Sequence, residues 1–296
     1  FRHSEYTEAE GHFRRALRAA EEAGEKQNQA RALSNLCAVY WRRGDLDQAE
    51  EYGKRALALH QDTGNRLGEG KALGNLGLVY ADRGHLDLAE EHHKKALAID
   101  EEICSTGGQE ADHGNLGLVY FARGDLDKAE EHYLKALAIA EQIGYLLGQG
   151  EDLHNLGDVC FRRGDLEGAE MYYQRALNVN EECGHRVAVG EVFGSLGDVY
   201  LERGHVDKAR EYHKKAFAVH DQLGHRLGQA NQLRRIGLLE MGRGEDQRAR
   251  ELLQGAARLY KAIGARGQDP EKVKQALKHL RSSAAKVRKK PVSRGT

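Results

Sequence analysis

One asparagine recurs every 40 residues along much of this 296-residue chain, and its side chain is suited to binding a peptide backbone. A primary amide carries one acceptor and two donors, so it can pair with both the N–H and the C=O of an extended segment. We call these residues the amide column: Asn35, Asn75, Asn115 and Asn155. The next two positions of the same period hold Ser195 and Arg235, so the column is predicted to end after four repeats.

The 40-residue period also shows which elements must position these amides. Between Leu73 and Tyr80, apolar residues or glycine recur at i, i+3, i+4 and i+7, which predicts an amphipathic helix that ends at Gly84. A second helix is predicted to open at Asp87, with Glu90 three residues later as in a capping box. The equivalent pairs are Thr7/Glu10, Asp47/Glu50, Asp127/Glu130 and Glu167/Glu170. A unit of two helices cannot bury its own apolar face, so the repeats must stack.

The repeats predict one array over 1–268, followed by a capping helix over 269–285 and a basic disordered tail over 286–296. The array begins with a lone second helix at 4–23. Six helix pairs follow at 27–62, 67–103, 108–143, 147–183, 187–223 and 227–263. The capping helix is predicted to start at Asp269-Pro270, because proline suits the first turn of a helix. The chain opens inside a repeat and without an initiator methionine, so we expect it to be part of a longer protein.

These motifs resemble the tetratricopeptide repeat. The usual aromatic residue that follows the alanine of the second helix is here a histidine, His93 after Ala89. The matching pattern reads Leu73-x-x-Leu76-Gly77-x-x-Tyr80-x-x-x-Gly84-x-Leu86-x-x-Ala89-x-x-x-His93-x-x-Ala96. The resemblance implies an all-α right-handed superhelix, an α-solenoid of antiparallel helix pairs, that binds proteins in a concave groove and has no enzymatic activity. The long linker Gly64-Asn65-Arg66-Leu67-Gly68 makes the 40-residue unit similar to those of Pins/LGN-like adaptors and of bacterial regulatory arrays.

In this family the first helix of each pair lines the groove, and the stripe of Lys71, Asn75, Leu78 and Asp82 avoids the apolar face of that helix. We therefore predict that an extended or partly helical segment of a partner protein lies in the groove. The amide column would hold its backbone, while variable neighbours select its side chains. Those neighbours are Arg31, Trp41, Arg42, Lys71, Leu78, Leu118, Phe121, Glu151, Asp158, Phe161, Arg162, Asp198 and Arg234. Two alternatives stay open: each asparagine bonds a neighbouring helix, and Phe121 and Phe161 pack under the next repeat.

Several other functions find little support in the sequence. Chaperone-binding members of the family hold a terminal carboxylate with an asparagine directly after the Leu-Gly pair. Here that position holds Ala38, Leu78, Leu118, Asp158, Asp198 and Leu238, so no carboxylate clamp is expected. His92, His93 and His132 stand in columns otherwise filled by tyrosine, so we expect neither a metal site nor any other cofactor.

Composition favours a protein partner. The formal charge of −1 gives no argument for nucleic acid, and no run of about 18 apolar residues is present to span a membrane. The four cysteines form no CxxC motif, which predicts small core residues in a reducing, cytoplasmic setting. Two further roles remain open: a regulatory or sensor module of a larger signalling protein, and self-association through the uncovered apolar face of residues 6–20.

Overall fold

A computed structural model describes residues 2–265 and 267–288, with side chains described over 6–265 and 267–282. Within these ranges the chain forms fourteen α-helices and no strand, which confirms the all-α fold class. The helices are α1 (Arg2–Glu22), α2 (Lys26–Arg43), α3 (Leu46–Asp62), α4 (Arg66–Asp82), α5 (Leu86–Glu102), α6 (Thr106–Arg123), α7 (Leu126–Ile143), α8 (Leu146–Arg163), α9 (Leu166–Glu182), α10 (Arg186–Glu202), α11 (Val206–Gln222), α12 (Arg226–Gly242), α13 (Asp246–Ala262) and α14 (Gln268–Arg288).

The chain divides into two compact units, residues 1–159 and 160–296. In the first unit α2 pairs with α3, α4 with α5 and α6 with α7, and consecutive pairs pack on one another beneath α1. In the second unit α9 packs on α10, α10 pairs with α11 and α12 with α13, while α14 packs against α12 and α13. Each unit is therefore a stack of helix pairs, the arrangement of an α-solenoid. None of the described helices is long and apolar enough to cross a membrane.

The last helix differs from its predicted bounds at both ends. It begins at Gln268, one residue before the predicted start at 269, and it continues to Arg288 rather than ending at 285. Its apolar face is buried through Val273, Ala276 and Leu280, which pack against α13. The remainder of the predicted basic tail, residues 289–296, lies outside the described residues.

Left-handed residues end the helices. At Gly84 φ is +77°, and the amide of the next residue donates to the carbonyl of Tyr80. This closes the end of α4 in the manner of a Schellman motif. Cys104 takes the same conformation at φ +54°, at a position where other repeats place glycine.

The four cysteines are all free thiols, but they differ in burial. Cys37 and Cys160 are buried, as expected of small core residues, and burial raises the pKa of the Cys37 thiol to about 12. The same expectation was wrong for Cys104, which is exposed because it occupies a turn, and Cys183 is only half-buried.

The second helices begin earlier than the capping-box prediction placed them. The N-cap of α3 is Asp45, whose carboxylate accepts a hydrogen bond from the Gln48 N–H at 3.4 Å. Asp125 and Asp165 cap α7 and α9 in the same way. The predicted capping-box pairs therefore lie inside the helices, and that prediction was wrong. The pairs to which this correction applies, all of them inside helices, are Thr7/Glu10, Asp47/Glu50, Asp87/Glu90, Asp127/Glu130 and Glu167/Glu170.

The glutamates of those pairs link consecutive repeats instead. Glu90 accepts a hydrogen bond at 2.6 Å from the Tyr120 hydroxyl, 30 residues further on, and pairs with Arg123. Burial opposes ionisation of Glu90, but hydrogen bonds from Lys94, Tyr120 and Arg123 lower its pKa to about 2. The same link joins Glu10 to Tyr40 and Arg43, Glu50 to Tyr80 and Arg83, and Glu170 to Tyr200 and Arg203.

One such link is built with its charges rearranged. Arg210 stands where the preceding repeats have glutamate, and Glu240 stands where all but one of them have tyrosine. Arg210 Nε lies 2.6 Å from Glu240 Oε1 in an ion pair, and the Glu240 side chain is only 2% exposed. A carboxylate this deeply buried needs its cation, because an unpaired buried charge is strongly destabilising.

The two helices of a pair cross closely where glycine faces a large ring. A Cβ atom on Gly77 would lie 2.5 Å from His93 Nε2, and one on Gly197 would lie 2.6 Å from His213 Cε1. Both histidines are buried, and burial lowers the pKa of His93 to about 4 and that of His213 to about 3. These rings therefore serve as neutral core aromatics. Within the described residues, no three His, Cys, Asp or Glu side chains are placed to hold a metal ion.

Candidate functional site

The amide column lies entirely in the first unit, at equivalent turns of α2, α4, α6 and α8. In each helix the residue after the asparagine is a leucine that is at most 1% exposed, so the helix is anchored beside the amide. The four asparagines themselves are half-buried or exposed. None of their side-chain amides makes a hydrogen bond with another residue in the part of the chain that the structure describes.

Around the amide column, the predicted neighbours of the first three helix pairs lie at the surface to different degrees. Arg31 and Lys71 are exposed, and Leu78 is half-buried. Leu118 is 47% exposed. The surface around the amide column therefore offers cations and an apolar contact beside amides that have no hydrogen-bond partner among the described residues.

The side chain of Trp41 makes contacts within the array that the prediction of a groove residue did not include. Its indole N–H donates to Asp82 Oδ2 at 2.8 Å, which ties α2 to α4. The ring is partly buried against the core cluster around Leu33 and Tyr40, and the guanidinium carbon of Arg42 lies 5.9 Å from its centroid. The only tryptophan thus has a structural contact in addition to any role in binding.

The predicted selecting residues of α6 and α8 vary in exposure. Glu151 and Arg162 are exposed, while Phe121, Asp158 and Phe161 are half-buried. Burial and the charge of Glu151 raise the pKa of Glu110 to about 7. The division between the two units separates this set, because Phe161 and Arg162 belong to the second.

Buried carboxyl groups in the first unit were missed by the sequence reasoning. Asp100, Glu110, Asp112 and Asp152 are each between 3% and 8% exposed. Burial, the charge of Asp100 and a hydrogen bond to it raise the pKa of Asp112 to about 8, while burial and nearby acids raise that of Asp152 to about 8. His93 Nδ1 lies 3.6 Å from Asp112 Oδ1. The available signal was that Asp112 and Asp152 replace the alanines of earlier repeats.

In the second unit, the two positions equivalent to the amide column hold Ser195 and Arg235. Arg235 Nη2 pairs with Asp198 Oδ2 at 2.6 Å. Arg234, predicted to contact a partner, instead has an 11% exposed side chain that pairs with Asp269 at 3.2 Å. Because Asp269 lies in the first turn of α14, Arg234 fastens the last helix to α12.

An open cavity of about 540 Å³ lies beside Arg235 in the second unit. We call it the second-unit cavity, and its lining is Asp198, Leu201, Val206, Arg234, Arg235, Leu238, Leu239, Gly242 and Arg243. Only Asp198 and Arg234 among these were predicted from the sequence. The others could have been found by following all columns of the first-helix stripe into the last two repeats.

Comparison with known proteins agrees with this architecture. A tetratricopeptide repeat profile matches residues 1–61, 28–102 and 110–182. The apo form of RapI superposes with a TM-score of 0.71 at 17% identity, covering 89% of this chain and 94% of that one. A Rap protein complexed with Competence and Sporulation Factor gives a TM-score of 0.64 at 15% identity, covering 88% of this chain and 76% of that one.

A third similar structure is a signal transduction ATPase with numerous domains and a tetratricopeptide repeat sensor, from Pyrococcus horikoshii. Its TM-score is 0.69 at 17% identity, covering 93% of this chain but only 44% of that one. Identities this low show a shared fold alone. No match was found among curated protein sequences.

Proposed function

Because the chain belongs to the tetratricopeptide repeat family, whose profile matches more than half of its residues, we propose that it is a non-enzymatic interaction module. In this proposal the first unit holds a segment of a partner protein along the amide column. The observation that carries the proposal is four equivalent surface amides without a hydrogen-bond partner among the described residues. A bound extended segment needs partners for its own N–H and C=O groups, and these amides supply both kinds.

The neighbours of the amide column would give the interaction its selectivity. Arg31 and Lys71 favour acidic side chains of the partner, and exposed Leu118 favours an apolar one. The other proposed contacts of a partner are Trp41, Arg42, Leu78, Phe121, Glu151 and Asp158 in the first unit and Phe161, Arg162 and Asp198 in the second.

Replacing Asn75 and Asn115 together by alanine tests the proposal. About four hydrogen bonds would be lost at about 1 kcal/mol each, so partner affinity should fall at least about 100-fold. The matched control is Asn178→Ala, on the exposed side of α9, which should leave binding unchanged. Far-UV circular dichroism would verify that helicity is retained. Undiminished binding by the double variant would refute the role of the amides.

A photo-crosslinking residue locates the contact independently. At Leu118, which is 47% exposed beside the amide column, it should trap the natural partner of the full-length protein. At Met171, which is 50% exposed on the second helix α9, it should not. Equal trapping at both sites would mean that the groove is not the binding surface.

Self-association is a second candidate, favoured by an open cavity between α1 and α2. Its volume is about 530 Å³, and it is lined by Phe13, Ala16 and Ala20 on one side and by Arg31 and Asn35 on the other. A helix of a second copy could cover these small apolar residues. Light scattering across a concentration series tests this, and a strict monomer at high concentration would count against it.

We further propose that the array serves within a longer regulatory or signalling protein. Support comes from the likeness to a repeat sensor in a signal transduction ATPase, of which this chain spans less than half. An adaptor of the Pins/LGN kind is the alternative for the same 40-residue unit. The full-length sequence separates them, because nucleotide-binding or kinase domains favour the regulator and short G-protein-binding motifs favour the adaptor.

A further inference from the structure

Several residues that line the second-unit cavity are equivalent, by the 40-residue period, to those that form the proposed groove in the first unit. Asp198 and Leu238 correspond to Leu78 of the first-helix stripe, and Arg235 corresponds to the asparagine of the amide column. The cavity is therefore formed mainly by two first helices, α10 and α12, with Val206 of α11 at its edge.

The walls of the cavity are apolar and accessible. Leu201 is 38% exposed, Leu238 is half-buried, and Leu239 forms part of the core beneath. Gly242 contributes no side chain, and a Cβ atom built there would meet nothing within 4 Å. An open volume of about 540 Å³ is large enough for one or two apolar side chains.

The rim of the cavity is cationic. Three guanidinium groups, those of Arg234, Arg235 and Arg243, line it with a single carboxylate, Asp198. Arg234 forms an ion pair with Asp269 and is mostly buried. Arg243 is 40% exposed and forms an ion pair with Asp207, which is 84% exposed. Exposed pairs of this kind contribute little stability, so Arg243 can exchange its partner for a ligand at small cost.

Arg235 is placed for the same exchange. It is 29% exposed, and one of its nitrogens contacts Asp198 while the guanidinium group offers further donors. A guanidinium group binds a carboxylate with two parallel hydrogen bonds, which are stronger than those between neutral groups. His213, 3.6 Å from the same aspartate, is neutral because burial lowers its pKa to about 3.

We propose that the second-unit cavity binds an apolar side chain of a partner's segment whose neighbouring residues are acidic. The apolar side chain contacts Leu201 and Leu238, and flanking carboxylates pair with Arg235 and Arg243. This proposal rests on the proposed function, because it specifies the chemistry of the segment that the groove holds.

Three fluorescein-labelled nine-residue peptides test the proposal by fluorescence polarisation. In each, leucine alternates with one other residue: glutamate, glutamine or lysine. The glutamate peptide should bind roughly tenfold or more tightly than the glutamine peptide, and the lysine peptide should not bind. The preference should weaken as salt is added, because partly exposed charges are screened.

Substitutions in the lining of the second-unit cavity test whether the glutamate peptide binds there. Arg235→Gln and Arg243→Gln should each lower affinity for the glutamate peptide roughly tenfold, while Arg186→Gln, on α10 but outside the lining, should not. Gly242→Leu should block binding by placing a side chain in the cavity, where a Cβ atom meets nothing within 4 Å, and it raises helix propensity. The matched control is Gly107→Leu in the first unit, where a Cβ atom also meets open space.

Equal binding of the three peptides, binding of none, or an unchanged glutamate preference in Gly242→Leu would overturn the cavity proposal. Those results leave the proposed function intact if the Asn75→Ala/Asn115→Ala variant still loses its natural partner. Conversely, a glutamate preference that depends on Arg235 supports the cavity even if the amide variant retains its partner. The two proposals can therefore fail separately.

Discussion

Replacing Asp112 by asparagine should stabilise the first unit at pH 8 and have little effect near pH 4. Asp112 is 4% exposed, and burial together with the charge of Asp100 raises its pKa to about 8. In the unfolded chain an aspartate has a pKa near 4. Between these values Asp112 binds its proton more tightly in the folded state than in the unfolded state, so its contribution to the free energy of unfolding falls as pH rises. Asparagine keeps the shape of the carboxyl group but cannot ionise.

The size of the effect follows from the shift in pKa. A move from the ordinary 3.8 to about 8 sets a ceiling of about 5 kcal/mol at pH 8. Asp112 shares a hydrogen bond with Asp100, and the site can relax when it ionises, so we expect a gain of about 2–3 kcal/mol at pH 8. Asp152→Asn should act in the same direction, because burial raises the pKa of Asp152 to about 8 as well.

Urea unfolding followed by tryptophan fluorescence measures this directly, because the only tryptophan, Trp41, lies in the same unit as Asp112. The stability of the Asp112→Asn variant relative to wild type should increase between pH 4 and pH 8, because the variant lacks the buried carboxyl group that ionises in this range. Glu22→Gln, at an exposed position of α1, is the matched control and should follow wild type. A variant that is no more stable than wild type at pH 8 would refute the argument.

Two further predictions concern the repeat links and turns. Arg210→Ala should lower the free energy of unfolding by about 3–5 kcal/mol, because it leaves the carboxylate of Glu240 buried and without its closest cation. Adding Glu240→Leu should recover most of the loss, and urea unfolding followed by circular dichroism measures both variants. Cys104→Gly should stabilise the first unit by about 0.5–1 kcal/mol, because glycine adopts φ near +54° without strain, and thermal unfolding should show a higher Tm than for Cys104→Ala.

The repeat period and the helical spacing were sufficient to predict the fold class. Leu73, Leu76 and Tyr80 are buried as their spacing requires, and Asn75, between them in sequence, lies toward the surface. The link between repeats was not predictable in this way. An acidic residue near the start of a helix, such as Glu90, suits a capping box and a distant tyrosine equally well, and only packing brings Tyr120 to it.

The sequence by itself determined that this chain forms helix pairs and which residues recur along them, because apolar periodicity and glycine positions act within a few residues. The tertiary structure decided what the polar residues do. Arg234 and Asp269 stand 35 positions apart and meet only because α14 packs on α12. Burial of Asp112 and the open space beside Gly242 likewise depend on which helices pack around them. Charge, solvation and cavity volume are set by neighbours in space, and those neighbours are distant along the chain.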